Sequence, residues 1–351
     1  MALCHNRGTM TAGGGIAIET VEMHTGGEPV RIVSSGYPRL EGRTILEKRR
    51  FARERLDHLR RMLMFEPRGH DDMYGVIPVE PDLSTADMAV LFMHNEGYST
   101  MCGHAVIALG RYAVDRGLVP AKSPLTEVAI QCPCGLVRAK VEVAAGPEGP
   151  VTGAVAFESV PAFAYKLDAA LELPGHGRVV VDIGYGGAFY AVVPAAALGL
   201  ELGRTPLQAL VEAAARVTEA AKAQVPIEHP DDPDLAFLYG TILTDGRDAY
   251  EEAPSVNVCV FAEREVDRSP TGSGVTARIA LQRARGLILP GATRKFASLT
   301  GAIFTGKVQR PAAAGRHEAV IVEVGGRAHY TGTARFTLED GDSIGAGFRL
   351  P

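Results

Sequence analysis

Short apolar and alternating runs dominate this chain, and most of them have the length and composition of strands. Residues 16–23, 75–78, 88–94, 126–132, 136–143 and 151–157 are each rich in Val, Ile, Leu, Met or Phe. The pattern resumes at 178–183, 188–193, 255–261, 302–308, 319–324 and 334–338. Several of these runs are bounded by Gly or Pro, the signature of strands joined by tight turns. Helical periodicity is rarer. The segment 46–62 is charged and amphipathic, with Leu46, Leu56, Leu59 and Leu63 on its apolar side. Residues 205–224 are alanine-rich, carry Leu207, Leu210, Val211, Ala214 and Val217 on one face, and stop before Pro226. Two further helices start at Gly103 and Gly272; the first is apolar on nearly every side through Leu109, so it is expected to be buried.

Those last two helices look like copies. Met101-Cys102-Gly103-His104-Ala105-Val106 leads into a run ending at Gly117-Leu118, and Pro270-Thr271-Gly272-Ser273-Gly274-Val275 into one ending at Gly286-Leu287. Cys102 falls on Thr271 and Gly117 on Gly286 at one constant offset of 169 positions. Under that offset Gly103, Val106, Ala108, Arg116, Gly117 and Leu118 meet identical residues. A duplicated half-chain predicts two similar lobes, each presenting one residue at a helix start. One lobe offers a thiol, the other a hydroxyl.

The 351 residues suit two domains of ordinary size. Residues 1–15 read as a disordered leader without a signal-peptide core, 16–160 as an N-terminal lobe, and 161–337 as a C-terminal lobe. The boundary is set at 161–174, where the strand pattern pauses, and 338–351 is expected to cross back to the first lobe. Apolar residues make up 46% and charged ones 22%, with a net charge of −5 and no basic or acidic block, which argues against nucleic-acid and membrane partners. No run approaches the ~18 apolar residues of a spanning helix. The five cysteines form no disulfide framework. Cys132 and Cys134 lack a second pair at zinc-site spacing, Cys4 lies in the leader, and Cys259 reads as a small buried apolar residue. A reducing, cytoplasmic setting follows.

Cys102 precedes a helix whose unpaired N–H groups and dipole favour an anion, a setting that can lower a thiol pKa from about 8.5 to about 3.5–7.5. Position alone fits an inert cap residue equally well. Two facing helix heads would form a cradle for a carboxylate, with N–H groups of Gly103, His104, Gly272 and Ser273 converging. Asp267 reads either as a turn-forming residue or as a counter-ion for an ammonium group. His104 reads as a polar cap or as a ligand-orienting side chain.

Met101-Cys102-Gly103-His104 and Asp267-Arg268-Ser269-Pro270-Thr271-Gly272-Ser273-Gly274 resemble the two active-site motifs of the proline racemase family. Met23-His24-Thr25-Gly26-Gly27-Glu28-Pro29, Glu66-Pro67-Arg68-Gly69-His70 and Tyr185-Gly186-Gly187-Ala188-Phe189-Tyr190 are similar to further segments of it, so the resemblance runs from Ile18 to Phe348. The racemases and 4-hydroxyproline epimerases carry a cysteine where this chain has Thr271, which looks like the trans-3-hydroxy-L-proline dehydratase branch. The resemblance implies an α/β (α+β) fold like diaminopimelate epimerase: two pseudo-symmetric lobes, each with strands wrapped around a central helix, and the active site in the cleft between them. It implies Cys102 as proton acceptor and Thr271 in place of the second catalytic cysteine. Gly103, His104, Gly272 and Ser273 would hold the carboxylate, and Asp267 with the His104 side chain would lie near the ring nitrogen. It also implies no cofactor, neither pyridoxal phosphate nor a metal, and a small-molecule partner; a homodimer is compatible. His24, His70 and Tyr185 receive no role beyond pocket lining.

Cofactor-free racemisation needs an acid and a base on opposite faces of the α-carbon, and two thiols can exchange those roles. A threonine hydroxyl has no accessible anion at neutral pH. One-sided deprotonation survives if the carbanion has another exit, and a 3-hydroxyl on the α-hydrogen's own face supplies it. The implied reaction is therefore dehydration of trans-3-hydroxy-L-proline to Δ1-pyrroline-2-carboxylate. Two alternatives stay open: a proline racemase or hydroxyproline 2-epimerase, and a non-catalytic imino-acid binding protein.

Overall fold

The computed structural model describes residues 15–249, 251–262 and 264–350, so the expected leader and its Cys4 lie, apart from Gly15, outside the described residues. The chain divides into two compact units. Of the described residues, the first contains those up to Thr100, His104–Val155 and those from Arg327; the second contains Met101–Gly103 and those from Ala156 to Gly326.

In the first unit, β1 (Ile16–Thr25) and β2 (Glu28–Ser35) form an antiparallel hairpin. Its two-residue turn, Gly26-Gly27, has φ of 64° and 91°, which side chains resist and which matches the strand twist. The charged segment after it forms two helices, α1 (Ile45–Arg55) and α2 (Asp57–Met64), where the sequence pattern predicted one. Thr44 and Glu47 close a capping box on α1. The break falls at Leu56, and Asp57 then opens α2 with its carboxylate bonded to Arg60 at 2.6 Å, a favourable charge at a helix N-terminus. Leu59, Met62 and Leu63 are fully buried in one cluster with Ile18, Val33, Ile77 and Leu91.

β3 (Tyr74–Val79) runs parallel to β2, β4 (Met88–His94) antiparallel to β3, β5 (Leu125–Cys132) parallel to β4, and β6 (Gly135–Gly146) antiparallel to β5. Between β4 and β5 lies α3 (Gly103–Asp115), buried without interruption from Gly103 to Gly110. A Cβ at Gly110 would lie 2.9 Å from Val155 Cγ1 and 3.3 Å from Ala139 Cβ, so α3 packs on β6 and on β7 (Gly149–Glu158).

The second unit has strands β8 (Ala162–Leu173), β9 (Gly177–Tyr185), β10 (Phe189–Pro194), β11 (Leu238–Thr244), β12 (Ser255–Phe261), β13 (Glu265–Asp267), β14 (Thr293–Ala297), β15 (Ile303–Ala314) and β16 (His317–Gly326). Pairing runs β8–β9–β10–β11–β12–β14–β15–β16 and returns to β8, so these strands close a mixed barrel. β13 adds to β12 at its side. Helix α4 (Leu207–Gln224) packs on β8, β10, β11 and β12; α5 (Gly272–Ala284) packs on β8, β9, β10, β15 and β16. α5 is buried on all faces from Gly272 to Gln282. The last strand, β17 (Ala328–Leu338), pairs antiparallel with β1 in the first unit.

The segment 161–174, expected as a pause in the strand pattern, is β8. Its inward Ala169, Leu171 and Leu173 alternate with Asp168, Ala170 and Glu172, so the polar half of the pleat masks the strand. Strands β2 and β11 also escape the reading, because Pro29, Arg31, Gly240 and two threonines dilute their apolar runs. No described helix is long and apolar enough to cross a membrane.

Charged side chains are buried in this unit, Arg278 and Arg294 among them. Arg278, in the middle of α5 and 1% exposed, donates to Ser255 Oγ at 2.7 Å, Asn257 Oδ1 at 3.1 Å and Asp248 Oδ1 at 3.0 Å. Its guanidinium also lies over the Phe296 ring. Removing it strands buried polar partners, so Arg278→Ala is expected to lower stability by about 3 kcal/mol, and Arg278→Lys to recover only part of that because the forked geometry is lost. The shift in the urea midpoint of the two variants measures both effects; a wild-type midpoint for Arg278→Ala would show the network to be energetically idle.

Candidate active site

Gly103 and Gly272, the first residues of α3 and α5, touch backbone to backbone. A Cβ built on Gly103 would sit 2.4 Å from the Gly272 Cα, and one on Gly272 would sit 2.5 Å from the Gly103 Cα. Any side chain here would force the two chains apart. The residues just before them are Cys102 and Thr271, both 4% exposed. One trans peptide separates each from its glycine, so their Cα atoms lie within about 12 Å of each other.

Thr271 holds φ 66° and ψ 93°, a region that β-branched residues avoid. The loop before it enforces that conformation. Asp267 Oδ1 accepts the Ser269 N–H at 2.7 Å, the Thr271 N–H donates to Ser269 Oγ at 3.1 Å, and Asn257 Nδ2 donates to the Pro270 carbonyl at 3.3 Å. The Thr271 carbonyl then accepts the Val275 N–H at 2.7 Å and starts the helix. Strain concentrated at such a site is a common mark of function. Thr271 makes no capping hydrogen bond, and its Oγ1 is buried with no hydrogen-bond partner. The first-turn N–H groups of α5 therefore lack the side-chain acceptor that an N-cap threonine ordinarily provides, and they favour an anion.

Ser273, 2% exposed, is bonded through Oγ to the Tyr190 hydroxyl at 2.7 Å. Burial pushes the Tyr190 phenol well above its usual pKa, and the nearby Cys259, Asp267 and Cys102 add to the rise while the Ser273 bond opposes it. The second unit thus brings together Cys102, Gly103, Asp267, Thr271, Gly272 and Ser273, with Tyr190 beside them. Asp267, 6% exposed, makes the turn that one reading of its position predicted.

His104 belongs to the first unit. Its carbonyl accepts the Thr25 hydroxyl at 2.9 Å, and its ring, 3% exposed with its residue, meets the Tyr74 ring edge-on at 4.8 Å. His24 stacks on His329 at 5.3 Å and accepts the Gly27 N–H at Nδ1, which ties it to the β1–β2 turn. His70 is exposed, and its Nδ1 lies 2.7 Å from the Asp71 carbonyl. Tyr185 packs among Phe163, Phe189 and His229. The Gly186-Gly187 turn beside it lies on α5: a Cβ at Gly186 would meet the Ser273 carbonyl at 2.2 Å.

Sequence reasoning gave no role to Tyr190, Ser269, Asn257 or Arg278. Two of them carried a signal. Asn257 is a polar break in the apolar run 256–261, and Arg278 is a charge in the middle of a buried helix. Among the described residues, no group of three or more His, Cys, Asp or Glu side chains is placed to hold a metal ion.

Residues 20–349 match the family model described as proline racemase. A trans-L-3-hydroxyproline dehydratase from Xenopus tropicalis is 58% identical over 338 residues, covering 96% of this chain and 96% of that protein. A trans-3-hydroxy-L-proline dehydratase from Homo sapiens is 58% identical over 337 residues, covering 95% of this chain and 94% of that protein. Among solved structures, a hydroxyproline epimerase from Agrobacterium vitis with bound trans-4-OH-L-proline superposes with a TM-score of 0.87 at 26% identity, covering 95% of this chain and 96% of that one. With nearly every residue inside the matched span and more than half shared with relatives of the same length, the chain belongs to the proline racemase family.

Proposed function

We propose that this chain dehydrates trans-3-hydroxy-L-proline to Δ1-pyrroline-2-carboxylate without a cofactor, with Cys102 removing the α-proton. One observation carries the reading: two helix heads in backbone contact at Gly103 and Gly272, preceded by a thiol on one and a hydroxyl on the other. The names of the two 58% identical relatives support the same substrate.

The substrate carboxylate is held by backbone N–H groups of Gly103, His104, Gly272 and Ser273, and Asp267 with the His104 side chain faces the ring nitrogen. Cys102 acts as thiolate and takes the α-hydrogen. The C–H electron pair becomes the new bond between the α- and β-carbons, and the bond to the 3-hydroxyl breaks. In trans-3-hydroxy-L-proline that hydroxyl lies on the same ring face as the α-hydrogen. The Cys102 thiol therefore returns its proton to the departing hydroxide, releasing water and restoring the thiolate. The enamine product becomes the Δ1-imine when a proton moves from nitrogen to the β-carbon. Thr271 covers the other face, where it fills space or orients water; it cannot serve as a second carbon acid or base.

The fold that goes with this reading is that of diaminopimelate epimerase, two pseudo-symmetric lobes with strands wrapped around α3 in one and α5 in the other. The partner is a small imino acid, with neither nucleic acid nor membrane, the setting is cytoplasmic, and a homodimer is a compatible assembly.

Incubation with trans-3-hydroxy-L-proline in deuterated water is expected to give the imine. A deuterated diastereomer would instead identify an epimerase, and unchanged substrate a binding protein. Cys102→Ser should cut turnover by about 10³-fold or more with an unchanged melting temperature, because serine provides no low-pKa anion. Iodoacetamide should modify Cys102 before Cys132, Cys134 or Cys259, since the proposed thiolate is the reactive form and Cys132 and Cys259 are wholly buried; equal labelling in peptide maps would refute the assignment. Thr271→Cys places a second thiol on the opposite face and should yield weak conversion of L-proline to D-proline, held down about a hundredfold by imperfect positioning. Wild-type protein forming D-proline at the variant's rate would show that Thr271 is not the switch.

A further inference from the structure

Tyr190 lies in β10 with no part in the chemistry above, yet its placement is tightly specified. In register it faces Gly184 of β9 and Gly240 of β11. Residues directly opposed on antiparallel strands project to the same face of the sheet. At Gly184 that face is the one toward α5, since a Cβ there would meet Leu281 Cγ at 3.0 Å and the Ala277 carbonyl at 3.2 Å. Tyr190 therefore points at α5 and reaches Ser273, one helical turn before Ala277. The absent side chain at Gly184 leaves room for the ring.

The two hydroxyl oxygens are 2.7 Å apart, and the residues are 1% and 2% exposed. Tyr239 meets the Tyr190 ring edge-on at 5.8 Å and holds its orientation. Serine in a helix commonly turns its hydroxyl back onto the helix's own backbone, as the neighbouring Thr276 does onto the Gly272 carbonyl at 2.9 Å. Ser273, at the second position of α5, has no helical carbonyl behind it, and its hydroxyl bonds to Tyr190 instead. The two hydroxyls share one buried hydrogen bond, in which either oxygen can be the donor.

We infer that Tyr190 is a positioning residue for this site: through its bond to Ser273 it fixes the first turn of α5 in the orientation that receives the substrate carboxylate. The inference rests on the carboxylate-binding role proposed for that turn. It predicts loss of binding rather than of chemistry, because the bond acts alike on ground state and transition state.

The test compares wild type, Tyr190→Phe, Ser273→Ala and the double variant in steady-state kinetics with trans-3-hydroxy-L-proline and in calorimetric binding of L-proline. Tyr190→Phe keeps the ring and should raise KM and the L-proline Kd about three- to tenfold while kcat changes less than about twofold. The double variant should be no weaker than Ser273→Ala alone, since both remove one bond. Additive losses would overturn the inference, as would a Tyr190→Phe variant with wild-type KM and Kd whatever its melting temperature. A wild-type chain that binds L-proline without turning over the hydroxyproline would refute the dehydratase reading, and the Kd coupling would still decide the role of Tyr190.

Discussion

The site depends on how closely two backbones approach. Gly103 and Gly272 meet with no space for a methyl group on either, and that contact brings the helix-head N–H groups near one another. In the site proposed for this chain, one anionic group would be shared by the two helix heads, with a thiol and a hydroxyl in reach of a small ring attached to it. Neither helix head alone would do this. One N-terminus binds anions weakly and without stereochemistry, whereas two set the orientation of a chiral carbon between the residues that precede them.

Holding such a contact requires rigid supports, and the second unit provides them from buried polar groups. The loop 267–271 is fixed by the Asp267 and Ser269 bonds, by Asn257 on the Pro270 carbonyl, and by Arg278, which orients Asn257 from inside α5. Together they maintain Thr271 at a φ that costs about 1–3 kcal/mol in isolation. Tyr190 fixes the next residue but one, Ser273. Each group is buried, so each lost partner would leave an unpaired dipole in a low-dielectric interior. The barrel thus transmits its rigidity to the loop 267–271 and the first turn of α5.

The thiol–hydroxyl asymmetry carries the chemical logic. In the mechanism proposed, a second thiol would allow protonation from the far face and inversion, whereas a threonine would close that route and leave the carbanion to expel a β-substituent on the near face. The buried, unpartnered Thr271 hydroxyl suits a surface that contacts ligand rather than one that caps its own helix.

Much of this was legible in the sequence. The constant offset between Cys102 and Thr271 located both helix heads, and the apolar periodicity gave α3 and α4 within a few residues, because a buried or half-buried helix must write its packing into composition. Strands whose inner faces alone are apolar were also legible where the outer residues were β-branched. β8 was not, since its polar outer positions break the run, and the division of 46–62 into α1 and α2 depends on one residue, Leu56. The sequence by itself determined where a thiol, a turn and two helix heads fall along the chain, the residues proposed as proton acceptor and cradle. Tertiary structure alone decided that Gly103 and Gly272 touch, that Thr271 is strained and uncapped, and that Tyr190, Asn257 and Arg278 find their hydrogen-bond partners around it. Those relations join residues scores of positions apart through hydrogen bonds and close packing, and no local pattern encodes which distant partner a buried polar side chain will find.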